Sequence, residues 1–216
     1  MTTLTKLLLI GDNVRSAWHP LEPARQQLEE IAADEFELVS TEDYEALTTL
    51  DQDGYSAVIS YADCFDRKLA PEQIGRLLRF VAGGGGLLVI HNGISLGRTS
   101  HELAGLIGAR FTGHPPYQPL TYHPMQVDHP LLEGVQAFTV DEEPYMFEFD
   151  ALSPRNLLLE YEFEGSRYPA GWEHRYGLGR LVYLQPGHCA PSFLPDSYRQ
   201  LIRNSMRWAA ARNPLP

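Results

Sequence analysis

The chain lacks most of the features that mark specialised protein classes. Its 216 residues include only two cysteines, Cys64 and Cys189, far apart and in no C-x-x-C pair. That excludes a disulfide framework or a thiolate zinc site and fits a reducing, cytoplasmic compartment. No apolar run approaches the roughly 18 residues of a membrane span. The N-terminal apolar stretch, residues 4–10, is interrupted by Lys6 and runs into Gly11-Asp12-Asn13, too short for a secretory core and suited to a buried strand. Basic runs are missing too: 17 Lys and Arg stand against 28 Asp and Glu, a net charge of -11. Nucleic acid and anionic membrane are therefore excluded as partners. With no internal repeat and no low-complexity linker, the expectation is one domain over residues 1–216, large enough to fold without a structural metal.

What is present is an alternation of short apolar runs and amphipathic stretches. Residues 7–10, 36–39, 57–61 and 87–90 read as strands. Leu21, Ala24, Leu28 and Ile31 share one helical face, as do Ile74, Leu77, Leu78 and Val81 behind Pro71. Ser100 is placed to cap a helix carrying Leu103, Leu106 and Ile107. Residues 111–150, rich in Pro, Tyr and His, read as loops and extended segments over the sheet edge. Residues 157–161 and 181–184 give two further strands, with Tyr176-Gly177-Leu178-Gly179 as a turn, and a last helix carries Tyr198, Leu201, Ile202, Ser205 and Ala209. The expectation is an α/β domain with a mostly parallel sheet and helices on both faces.

In such a sheet ligands bind beyond the carboxyl ends of the strands. Asp12, Trp18 and His19 follow the first strand, Tyr61 and Asp63 close the third, and His91 and Gly187-His188 follow later ones. The abrupt turn at His91-Asn92-Gly93 has the shape of a nucleophile elbow, but it holds neither Ser nor Cys. Acyl transfer is thereby disfavoured, leaving proton transfer or metal-assisted chemistry. Asp141-Glu142-Glu143-Pro144-Tyr145 adds paired carboxylates that could share a proton, with Glu143 and Tyr145 on one face of an extended segment; a solvated acidic loop is the plain alternative. Trp18 and Trp172 could each be a platform for a sugar ring or pack on the core rim. Eight histidines invite a metal, although no H-E-x-x-H motif supports one.

Leu88-Val89-Ile90-His91-Asn92-Gly93, Ile107-Gly108-Ala109-Arg110-Phe111 with His114-Pro115, and His129-Pro130 with Gly134 resemble the ThuA-like family. The resemblance continues through Glu142-Glu143-Pro144-Tyr145, Trp172, Gly177-Leu178-Gly179-Arg180-Leu181-Val182-Tyr183, Gly187-His188 and Trp208-Ala209. That family is named for trehalose utilisation and placed in the class I glutamine amidotransferase-like superfamily. It implies a flavodoxin-like fold. Amidotransferases place Cys at the elbow and Glu two residues after the late histidine; here those positions hold His91 and Ala190, which implies no glutaminase activity. The family's Asp-Glu-x-Tyr motif matches Glu142 and Glu143 before Tyr145, with Asp141 one position out of step. The implied role is in carbohydrate catabolism: an enzyme of lyase, hydrolase or isomerase type acting on a trehalose-related glycoside or keto-sugar.

The expected catalytic groups are His91, Glu142, Glu143, Tyr145 and His188; the expected substrate-binding groups are Asp12, Trp18, His19, Asn92 and Trp172. A divalent metal, zinc, would take His91, His114 and His188 as ligands. The partner is a small-molecule sugar, and a homo-oligomer is compatible with the sequence. A non-catalytic sugar-binding or regulatory module is the alternative from another class.

Overall fold

The computed structural model describes residues 4–125 and 128–211. In chain order the elements are β1 (Thr5–Gly11), α1 (Leu21–Ala32), β2 (Phe36–Thr41), β3 (Ala57–Tyr61), α2 (Pro71–Ala82), β4 (Gly86–Ile90), α3 (His101–Ile107) and β5 (Ala109–Gly113). There follow β6 (Gln118–Pro124), β7 (Phe138–Glu142), β8 (Met146–Phe149), β9 (Asn156–Phe163), β10 (Ser166–Tyr176), β11 (Gly179–Leu184) and α4 (Asp196–Ala210).

The helices form where the apolar spacing puts them. Leu21, Ala24, Leu28 and Ile31 are buried on one side of α1. Pro71 opens α2, where the Gln73 side chain accepts the Ala70 N–H at 2.8 Å, and α3 starts at Ser100, whose hydroxyl accepts the Leu103 N–H at 3.1 Å. Replacing Ser100 by Ala should therefore cost about 1 kcal/mol of stability, read as a lower urea midpoint at unchanged slope.

Nine strands make one sheet in the order β2-β1-β3-β4-β11-β10-β9-β6-β7, and β5 pairs with β8 in a separate ribbon. From β2 to β11 every pairing is parallel; from β11 to β7 every pairing is antiparallel. The expected parallel α/β sheet is thus only half of the observed one. Residues 111–150 are not mainly loop: they supply β6 and β7, which extend the sheet, and most of the ribbon. β10 escapes the sequence pattern because register shifts between Pro169 and Trp172 break its period of two.

Alternate residues of the strands feed two cores. Leu7 and Leu9 pack with α1 and α4, while Leu8 and Ile10 pack with α2 and α3. The strongly apolar middle strands need exactly this covering on both faces. Among the described residues no helix is long and apolar enough to cross a membrane.

Candidate functional site

The parallel strands deliver three histidines to one end of the sheet: His19 from the segment after β1, His91 directly after β4, and His188 after β11. His91 has φ +47°, the left-handed region that a residue with a side chain enters only at a cost of about 1–3 kcal/mol. The elbow shape expected from sequence is therefore real. It is made possible by Gly93, where an added Cβ would collide with the Ser60 carbonyl.

Glu143 arrives just past the end of β7, and its Oε2 lies 3.3 Å from His91 Nε2, 3.2 Å from His188 Nδ1 and 3.7 Å from His19 Nε2. The imidazoles approach one another equally closely: His19 Nε2 is 3.1 Å from His188 Nδ1 and 3.2 Å from His91 Nε2. All four donor atoms lie within 4.8 Å of one another. A tetrahedral ion about 2.0–2.1 Å from nitrogen and oxygen donors requires edges of about 3.3–3.4 Å, so the set fits a divalent metal of the zinc type. Glu143 Oε2 is buried with no hydrogen-bond partner among the described residues, as an anionic ligand atom would be without its ion.

The surroundings orient these groups. His91 Nδ1 is 2.7 Å from the Gln185 carbonyl, which can only accept, so the proton sits on Nδ1 and Nε2 offers its lone pair. Burial lowers the His91 pKa and keeps that ring neutral. Burial opposes protonation of His19 too, but the Asp63 and Glu143 carboxylates outweigh it and raise its pKa. Burial would likewise raise Glu143, yet His188, His19 and His91 together hold its carboxyl well below the usual range.

Glu142 plays a different part from the one expected of it. It is fully buried, and its carboxylate accepts the Gly187 N–H at 2.6 Å, the His188 N–H at 3.1 Å and the Glu143 N–H at 3.1 Å. It positions two of the converging side chains and has no path to a substrate. Tyrosines fix the same segment: Tyr61 donates to the Gly187 carbonyl and Tyr198 to the Pro186 carbonyl, each at 2.6 Å. Gln185 accepts from Tyr122 and donates to the Glu143 carbonyl.

Above the cluster opens a cleft of about 1080 Å³ lined by Arg15, Trp18, His19, Asp63, Phe65, Arg67, Phe111, His114, Glu143 and Tyr145, among others. Trp18 is 77% exposed on its wall, and the Tyr145 ring stacks on His91 with centroids 4.3 Å apart.

Four further expected residues sit elsewhere than expected. Trp172 is fully buried, its indole donating to the Ile107 carbonyl at 2.9 Å, so it belongs to the core. Asn92 is fully buried and donates to the Tyr61 carbonyl at 3.1 Å, bracing the elbow. His114 stands outside the converging four, with Nε2 3.6 Å from Glu143 Oε1; its expected place is taken by His19 and Glu143. Asp12 is buried as well, accepting from Tyr44 at 2.5 Å and Arg67 at 2.8 Å, so it reaches the cleft through Arg67. Arg67 was not singled out in the sequence because its role depends on Asp12, 55 positions away. His19 could have been promoted by one signal: like His91 and His188 it follows a parallel strand, and His114 does not.

Neither thiol supplies a nucleophile. Cys64 is buried, which pushes its pKa up to about 12, and Cys189 lies one residue past His188 rather than on the elbow.

A family model described as ThuA, trehalose utilisation, matches residues 8–209. A ThuA-like protein from Parabacteroides merdae is similar at 17% identity and TM-score 0.79, over 97% of this chain and 91% of that one. One from Bacteroides uniformis is similar at 18% identity and TM-score 0.75, over 97% and 93%. A glutamine amidotransferase from Thermotoga maritima shares the fold at 10% identity and TM-score 0.58, over 97% and 100%. No curated protein matches the chain.

Proposed function

Because the chain belongs to the trehalose utilisation family ThuA, we propose that it is an enzyme of carbohydrate catabolism acting on a glycoside or keto-sugar, with a divalent metal held by His19, His91, Glu143 and His188. The observation that carries this reading is the convergence of three imidazole nitrogens and one unpartnered carboxylate oxygen at the floor of an aromatic-walled cleft. When bound, the ion would supply Lewis acidity to a sugar oxygen.

The chain's own residues do the rest. Trp18 and Phe111 offer flat apolar faces to a pyranose ring, while Arg15, Asp63 and Arg67 offer hydrogen bonds to its hydroxyls. His114 is an imidazole of the cleft wall that is not engaged in the cluster, and it is the group assigned to proton transfer. A carbonyl two carbons from the glycosidic carbon acidifies the C–H between them: removing that proton and protonating the departing glycosidic oxygen gives elimination, adding water to the resulting enone gives hydration, and returning the proton to another atom gives isomerisation. No covalent nucleophile is required, in keeping with an imidazole at the elbow. Glu142 and Tyr145 position the site.

The test needs no substrate. Protein purified without chelators should contain about one equivalent of divalent metal per chain, and stripping the metal should lower the melting temperature by several degrees, because an ion bound only to the folded state stabilises it. A chain that takes up no zinc, manganese or other divalent ion on reconstitution, and melts identically with and without chelator, would overturn the metal assignment.

A further inference from the structure

Beside the cleft, and sharing its Phe65, Asp66 and Arg67, lies a second pocket of about 410 Å³ whose lining also includes Lys68, Arg98 and Arg110. Four cationic side chains thus meet one carboxylate, Asp66, in a chain whose net charge is -11. Arg67 is already neutralised by Asp12 at 2.8 Å and lies over the Tyr44 ring at 3.6 Å. The other three have no such partner: among the described residues no carboxylate forms an ion pair with Lys68, Arg98 or Arg110. Arg98 lies over the Phe65 ring at 5.2 Å, and Arg110 donates to His101 Nδ1 at 2.7 Å. Arg98 and Arg110 are therefore each placed by a group that leaves the guanidinium charge uncompensated, and Lys68 is exposed at the same pocket. Like charges gathered in one concavity raise the local positive potential and favour an anion there; guanidinium forks match the tetrahedral oxygens of a phosphate.

We propose that this pocket is a phosphoryl subsite and that the substrate class is a phosphorylated sugar or keto-sugar. Its ring would lie in the cleft while its phosphate sits among Lys68, Arg98 and Arg110. The substrate part of this inference rests on the cleft being the sugar site; the phosphoryl part does not.

Calorimetric titration of the metal-loaded protein with glucose 6-phosphate, inorganic phosphate and glucose, at fixed ionic strength, tests both parts. Glucose 6-phosphate should bind at least about tenfold more tightly than glucose, and the double variant Lys68→Gln/Arg98→Gln should lose about tenfold or more for both phosphate-bearing probes. Both replaced side chains are exposed, so the variant should melt at the parent's temperature. Glu143→Gln, which disables the metal cluster, should leave inorganic phosphate binding unchanged. Equal affinities in parent and double variant would overturn the subsite, as would phosphate binding that is lost in Glu143→Gln but kept in the double variant. Glucose 6-phosphate that binds no more tightly than inorganic phosphate, with the double-variant loss intact, keeps the subsite and overturns the reading of the cleft as a sugar site.

Discussion

Glu143→Ala should abolish turnover and weaken divalent-metal binding by at least about a hundredfold, while the metal-free variant still unfolds cooperatively. Glu143 is the only anionic member of the converging four, so its loss removes the charge that balances an incoming cation as well as one donor atom. A competition titration against a chromophoric chelator reads the metal affinity. A second readout separates this role from a structural one. In the metal-free parent, burial works against protonation of His19, but Asp63 and Glu143 raise its pKa above the usual value. Taking Glu143 away removes one of those two supports, so the His19 resonance should titrate at lower pH in the variant. Unchanged metal content with parental turnover would remove Glu143 from the site.

Glu142→Leu should be the most damaging single substitution to the fold around the site, costing about 3–5 kcal/mol. The carboxylate accepts three backbone N–H groups, from Glu143, Gly187 and His188, in a fully buried position. A leucine there leaves those donors with no acceptor and no water to replace it. Set against the roughly 5–15 kcal/mol that holds a typical domain together, this is a large share. Urea unfolding gives the value, and Glu142→Gln, which keeps one acceptor oxygen, should lose less. Activity should fall in both, because the segments carrying Glu143 and His188, just past β7 and β11, are joined through this group. A midpoint within about 0.5 kcal/mol of the parent would show that the N–H groups find other partners.

The parallel half of the sheet was legible because its strands are continuous apolar runs and its helices repeat every three to four residues. Residues 7–10, 57–61 and 87–90 lie in β1, β3 and β4, and Ser100 caps α3 as its spacing indicates. In the antiparallel half residues 157–161 lie in β9 as read, but β6 and β7 were missed, since β7 is the edge strand and β6 its neighbour, both only partly buried, and Pro119 and Pro124 look like loop punctuation. At the site, the strand-end rule located His91 and His188. The same rule covers His19, which follows the parallel β1, and not His114, which follows β5 of the antiparallel ribbon; that β5 pairs this way is a property of the strand pairing and not of its own residues. Trp172 was misplaced for a related reason: it falls on β10, whose bulge hides its alternation, and so it looked like a loop residue.

The position of β11 has a consequence for how the chain is made. Among the described strands it is the last in chain order, yet it takes the middle place in the nine-stranded sheet, between β4 and β10. Until residues 179–184 leave the ribosome, β4 presents an open edge of backbone donors and acceptors, flanked by apolar side chains. The two halves can form separately, but they can be joined only by insertion of this final strand, and His188 follows four residues behind it. Pairings of this sequence span form slowly and leave edges exposed to other chains in the interval. Convergence of His19, His91, Glu143 and His188 is then a late event of biosynthesis, and a chain truncated before β11 would present an aggregation-prone edge rather than a partial site.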